Sequence, residues 1–157
     1  MFDLYDEFLL LIRALDQQGI EYALCGGMAM AVYDCPRTTI DIDLLILSES
    51  LEQVLAIASS LSYSIRGMDM TFASGAIEIR RVSKIHSGTG HLLSLDLLLV
   101  TPAIRDIWDA RVQAEWEGGE LSVVSRSGLI ELKKLRSSPQ DHADISALQE
   151  DIVDAGN

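Results

Sequence analysis

Apolar and polar positions alternate along this chain with two different periods, and the changes of period mark out its elements. Leu4, Phe8, Leu11, Ile12 and Leu15 recur at helical spacing, and Gly19 ends the run, which predicts a helix from Leu4 to Gln18. Glu21 to Cys25 reads as a short buried strand, and Gly26-Gly27 breaks it. A small helix is expected from Met28 to Tyr33, with Pro36 preventing its continuation. Thr39 to Leu47 predicts a second strand, and Leu51 to Leu61 a helix capped by Ser48 or Ser50. Strands are expected at Ser62 to Ile65, Met70 to Ala73, Ala76 to Ile85 and Leu92 to Val100, the last strongly apolar. A turn at Ser87 to Gly90 separates the last two. A helix then runs from Ala103 to Val112, with Pro102 near its first turn. A hairpin follows: Ala114 to Trp116, Gly118-Gly119, Leu121 to Val124. Two helices close the chain, Gly128 to Arg136 capped by Ser125 or Ser127, and Asp141 to Val153. The succession predicts an α+β (α/β) fold: a mixed, mostly antiparallel central sheet with flanking helices, covered mainly on one side.

At 157 residues the chain is the size of one domain, expected to span 1–154 with a frayed end at 155–157. Its apolar fraction of 48% and charged fraction of 23% are globular values, which excludes disorder for most of it. The net charge of −12 repels nucleic acid, so a free duplex-binding module is excluded. No apolar run is long enough to span a membrane, and the acidic start does not resemble a secretory signal. Cys25 and Cys35 match no common zinc spacing and are expected as reduced thiols. These features together predict a cytoplasmic protein without a membrane partner.

The segment with chemistry begins at Cys25-Gly26-Gly27 and continues in Arg37-Thr38-Thr39-Ile40-Asp41-Ile42-Asp43-Leu44. Residues two apart in a strand share a face, so Asp41 and Asp43 project together while Ile40, Ile42 and Leu44 take the other side. Two carboxylates about 4 Å apart at an effective dielectric of about 20 repel by about 4 kcal/mol. A cation removes that cost, and oxygen ligands suit Mg²⁺ or Mn²⁺. Asp96 lies inside the most apolar strand, where an unpaired carboxylate is expensive. If that strand neighbours Asp41 and Asp43, three carboxylates meet as a two-metal phosphoryl-transfer site requires. Gly26 and Gly27, between strand and helix, let backbone approach a phosphate. Each element also has a plainer reading. The Asp pair suits a solvated strand end, Asp96 a partner Arg or backbone N–H groups, and Gly-Gly a tight turn.

Gly26-Gly27, then Asp41-Ile42-Asp43, then a single strand Asp at 96 resembles the nucleotidyltransferase superfamily whose best-known relative is polymerase beta. The run Arg37 to Asp43 is most similar to minimal bacterial members, including abortive-infection toxin-type nucleotidyltransferases. Leu129-Ile130-Glu131-Leu132-Lys133, followed by Asp141, Asp144 and Leu148, extends the likeness over about residues 20 to 150.

The resemblance implies a nucleotidyltransferase fold and transfer of a nucleoside monophosphate from an NTP to a hydroxyl, releasing pyrophosphate. It further implies that Asp41, Asp43 and Asp96 bind the metals, with Asp96 helping to activate the acceptor. Gly26 and Gly27 would hold the triphosphate, with Lys133 and Arg37 as nucleotide contacts. The acceptor is left open among an RNA end, a protein and a small molecule, and a toxin role beside an antitoxin partner is the narrowest implied function. Where many relatives carry an Arg and a Lys flanking the Pro, this chain has Ser138-Pro139-Gln140, and Arg136 is the compensating candidate. Plainer readings stand beside these roles: a solvated Lys133, Arg37 paired with Asp34 or Asp41, and Asp141 and Asp144 capping the last helix. His86 and His91 lack further zinc ligands nearby, and Trp108 and Trp116 read as packing residues. The competing function is a nucleotide- or partner-binding domain that keeps the fold without turnover.

Overall fold

The computed structural model describes residues 4–86, 88–116 and 119–155, with side chains described as far as residue 150. Helix α1 (Leu4–Gln17) buries Phe8, Leu11, Ile12 and Leu15, the stripe its spacing demands. Strand β1 (Ala23–Cys25) runs straight into α2 (Gly26–Val32), so the glycine pair opens this helix rather than preceding it. Strand β2 (Asp41–Ile46) follows, and a short 3₁₀ turn at Ser48–Ser50 leads into α3 (Leu51–Ser60). Neither Ser48 nor Ser50 caps α3 through its side chain.

The strands β3 (Ile65–Arg66) and β4 (Met70–Phe72) both lie antiparallel along β5 (Ile77–Ile85). Strand β6 (Leu92–Leu99) is followed by a 3₁₀ turn at Pro102–Ile104 and α4 (Arg105–Asp109), shorter than the expected helix. The hairpin is β7 (Val112–Trp116) and β8 (Gly119–Val123). Helix α5 (Arg126–Arg136) starts as expected at Ser125, whose Oγ accepts from the Gly128 N–H at 3.0 Å. Helix α6 (Pro139–Ala155) begins at Pro139, just inside a reciprocal cap. In that cap the Asp141 N–H donates to Ser138 Oγ at 3.1 Å and the Ser138 N–H to Asp141 Oδ2 at 3.0 Å. Ser87, Gly118 and positions 156–157 of the expected frayed end lie outside the described residues; Ala155 ends α6.

The strands form one sheet in the order β3-β5-β6-β2-β1-β8-β7, with β4 also on β5. Among the described residues β1–β8 and β2–β6 pair in parallel and the other pairings are antiparallel. The apolar β6 is therefore central, between β5 and β2, as its composition requires. Helices cover both faces of the sheet, which corrects the expectation of one covered side. On one face, Glu7 of α1 accepts from the Tyr63 hydroxyl at 3.1 Å and pairs with Lys84 of β5 at 2.6 Å. On the other, Leu129 and Leu132 of α5 meet Ile77 and Leu98 around a cavity of about 20 Å³. This second face carries the acidic residues. Trp108 is buried under the Arg111 guanidinium, and Trp116 stacks on Tyr5, so both tryptophans are packing residues. Among the described residues no helix is long and apolar enough to cross a membrane.

Candidate functional site

Parallel pairing of β2 with β6 sets Asp41 opposite Ser94 and Asp43 opposite Asp96. Paired residues point to the same face, so the three carboxylates share one side of the sheet. Antiparallel β5 adds Arg81 beside Asp96 and Ser83 beside Ser94 on that same side. Asp43 is 7% exposed and Asp96 3%, while Asp41 is half-buried. The two deepest carboxylates meet different fates. Arg81 binds Asp96 fork to fork, Nε to Oδ1 at 2.7 Å and Nη2 to Oδ2 at 2.8 Å. Asp41 and Asp43, by contrast, have no side-chain hydrogen bond or ion pair among the described residues.

The electrostatics follow from that arrangement. Burial, then the Asp96 charge, pushes the Asp43 carboxyl up to about 7. The same two causes raise Asp41. Cys25, opposite Asp43 in β1, is a free thiol whose pKa is raised first by burial and then by Asp43, so it is no nucleophile here.

The glycine pair has two distinct jobs. Gly26 has φ +67°, and a Cβ there would stand 2.2 Å from Asp43 Oδ2. The missing side chain is what lets the Asp43 carboxylate fit against the start of α2. Gly27 has no such φ; its Cβ would meet Thr39 Oγ1 at 2.8 Å and Arg37 Nη1 at 3.1 Å.

Opposite the acids stands a cationic layer held by α5 and α6. Arg37 reaches across to Asp144, Nε to Oδ1 at 2.8 Å and Nη2 to Oδ2 at 2.9 Å. Lys133, only 3% exposed, donates to Asp144 Oδ2 at 2.8 Å, and Gln140 Nε2 donates to Oδ1 at 2.9 Å. Arg136 binds Asp141 through Nε at 3.0 Å and Nη2 at 3.1 Å. Burial alone raises both carboxyls, yet the hydrogen bonds from Arg136 and Ser138 to Asp141, and from Arg37, Lys133 and Gln140 to Asp144, outweigh it and hold both below the ordinary range. Lys133 is therefore not a solvated lysine, Arg37 pairs with neither Asp34 nor Asp41, and Asp144 is not a cap. Asp141 is a cap and an ion-pair partner at once.

Acids and cations enclose a cleft of about 260 Å³. Asp41, Asp43, Asp96, Gly27 and Arg37 line it, together with Arg81, Arg136 and Gln140. Gly26 and Lys133 sit one layer behind, on the small cavity beneath Asp43. Arg81 escaped the sequence reading. Its only signal was parity, a charge at a position that alternates with Ile77, Ile79 and Ser83 on the inward side of β5.

The residues suit a divalent cation in part. Asp41 and Asp43 present carboxylate oxygens without partners, the donors Mg²⁺ and Mn²⁺ take, and a cation there cancels the buried charge. Among the described residues, however, no three His, Cys, Asp or Glu side chains are grouped to hold a metal ion, and Asp96 is occupied by Arg81.

No family model and no curated protein matches the chain. Solved structures do. The lincosamide antibiotic adenylyltransferase LnuA, bound to lincomycin, matches with TM-score 0.58 at 14% identity, over 92% of this chain and 95% of that one. A Thermotoga maritima protein described as a candidate nucleotidyltransferase matches with TM-score 0.60 at 16% identity, over 96% of each chain. ANT(2'')-Ia in complex with adenylyl-2''-tobramycin matches with TM-score 0.64 at 14% identity, over 94% and 90%. The chain has the nucleotidyltransferase fold, with the mixed sheet and flanking helices expected of it.

Proposed function

We propose that this chain is a cytoplasmic, metal-dependent nucleotidyltransferase that moves a nucleoside monophosphate from an NTP to a hydroxyl acceptor. The observation that carries the reading is the pair of unpartnered carboxylates, Asp41 and buried Asp43, the latter in register with Asp96, in a cleft with a cationic far wall. Such a pair has little reason to persist in a folded core unless a cation offsets its charge.

Asp41 and Asp43 would hold Mg²⁺ or Mn²⁺, which supplies charge neutralisation at the phosphates when bound. Asp96, beside Asp43, would take the proton of the acceptor hydroxyl once an oxygen is released by Arg81. The acceptor oxygen then bonds to the α-phosphorus as the bridging bond to pyrophosphate breaks. Arg37 and Arg136 face the phosphates across the cleft, and Gly27 leaves that wall free of a side chain. Lys133 contributes from behind, by fixing Asp144 and with it Arg37. The net charge of −12 disfavours an unaided RNA acceptor, and structures of like fold hold lincomycin and an adenylylated tobramycin. A small hydroxylated molecule is accordingly the first acceptor to test, ahead of a protein or an RNA end, and an antitoxin partner is the narrower alternative.

The test is incubation with each α-labelled NTP and Mg²⁺ or Mn²⁺, with cell extract as the acceptor source. Label should enter an acceptor with the native protein and not with Asp43→Asn. One observation favours the second reading, a non-catalytic nucleotide- or partner-binding domain: Asp96 and Lys133 are both engaged in ion pairs. Nucleotide binding without label transfer from any NTP would establish that reading instead.

A further inference from the structure

Of the charged residues that line the cleft, Arg81 alone is left without a task by the proposed reaction. It comes from the middle of β5, its guanidinium lies on the Asp96 carboxylate, and its side chain is 37% exposed against 4% for that of Asp96. The stem is seated as carefully as the head. A Cβ at Gly67 would stand 3.1 Å from Arg81 Cβ and 3.2 Å from its Cγ, so Gly67 leaves the channel through which the side chain runs. Both Asp96 oxygens are taken, whereas the two neighbouring carboxylates have no partner among the described residues. A cation entering the cleft thus meets two available acids and one that already has a counter-charge.

We infer that Arg81 is an internal competitor for Asp96: it keeps the third carboxylate out of the metal set, so a divalent cation first binds Asp41 and Asp43 alone. Asp96 becomes a ligand or a proton acceptor only when Arg81 lets go. The part-exposed Arg81 side chain has somewhere to go, because it lines the cleft in which phosphate oxygens would arrive. This inference rests on the proposed metal site, and it assigns Arg81 the role of a positioning residue acting through Asp96.

Mn²⁺ binding by the nucleotide-free protein, read by electron paramagnetic resonance, tests it without any assay of transfer. Asp96→Asn should bind Mn²⁺ no more tightly than the native protein, because the carboxylate it removes is already held by Arg81. Arg81→Gln should bind roughly tenfold more tightly, a coupling of the size seen between contacting charged residues. The gain should vanish in Arg81→Gln/Asp96→Asn. A gain that survives in the double variant means only that a nearby positive charge was removed, and it overturns the inference. So does an Arg81→Gln affinity equal to that of the native protein. If Arg81→Gln does not fold, Arg81→Lys, which keeps the charge and loses the fork, should give a smaller gain that again depends on Asp96. Binding that is lost in Asp43→Asn yet indifferent to Arg81 would sink the competitor role and leave the metal site standing. Absence of Mn²⁺ binding in every variant would remove both.

Discussion

Asp43→Asn should stabilise the metal-free protein at neutral pH and leave it nearly unchanged in acid. The carboxyl moves from an ordinary 3.8 to about 7 in the folded chain, by burial first and by the Asp96 charge second. Each pKa unit is worth about 1.4 kcal/mol, so the ionised folded state carries a penalty of at most about 4 kcal/mol. The sign follows from proton counting. Below the unfolded value both states are protonated and no penalty exists. Between about pH 4 and about pH 7 the folded chain holds the proton more tightly, so stability falls as pH rises. Above the folded value the penalty is complete and constant. Asparagine has no proton to lose, so the variant escapes the decline, while pH effects from distant groups cancel in the difference. Denaturant unfolding of both proteins in EDTA across this range reads the difference directly. Asp43→Asn should gain about 2–4 kcal/mol over the native protein at about pH 8 and almost nothing at about pH 4. Millimolar Mn²⁺ should recover much of the loss in the native protein and none in the variant. A difference that is flat with pH, or an Asp43→Asn protein that is less stable at about pH 8, would refute the account of Asp43 as a buried, unpartnered acid.

The two glycines should separate cleanly. Gly26→Ala places a side chain at φ +67° and 2.2 Å from Asp43 Oδ2, so unfolding experiments should show a loss of at least about 2 kcal/mol. Gly27→Val meets Thr39 and Arg37 side chains at an ordinary φ and should lose NTP affinity, by calorimetric titration, more than stability; unchanged affinity would end its phosphate role. Asp144→Ala leaves Lys133, which is 3% exposed, with Asp141 at 4.0 Å as its ion-pair partner and releases Arg37, so a loss of about 3 kcal/mol is expected in denaturant unfolding. A change under about 1 kcal/mol would show that the buried cations find other partners.

The β2 and β6 segments show how far sequence alone reaches here. Alternation in Asp41-Ile42-Asp43-Leu44 determined that the two acids share a face, because strand geometry repeats every two residues whatever the partner. The apolar length of Leu92 to Leu99 determined a central strand and made its single Asp conspicuous. Helices α1 and α5 were likewise legible, the first from its apolar stripe and the second from Ser125. Errors gathered where local preference is weak. The start of α2 at Gly26 depends on the Asp43 carboxylate packed against it, and glycine by itself favours no helix. Cover on both faces of the sheet depends on the chain's return through α5 and α6, which no local pattern encodes.

The site divides in the same way. Asp41, Asp43, Asp96, Gly27 and Arg37 could all be named from spacing and resemblance, and the fold brings them to one cleft. What those residues touch was decided by tertiary structure alone. Arg37 and Asp144 are 107 positions apart, and Lys133 meets the same carboxylate from α5. Arg80 and Arg81 are adjacent arginines in one strand, yet only the register of β5 on β6 sends Arg81 to Asp96 and leaves Arg80 to Glu78. Charge pairing acts through space at a few ångströms, whereas periodicity acts along the chain. The pattern could therefore place each acid on a face, but only the folded sheet could assign it an arginine or leave it for a cation.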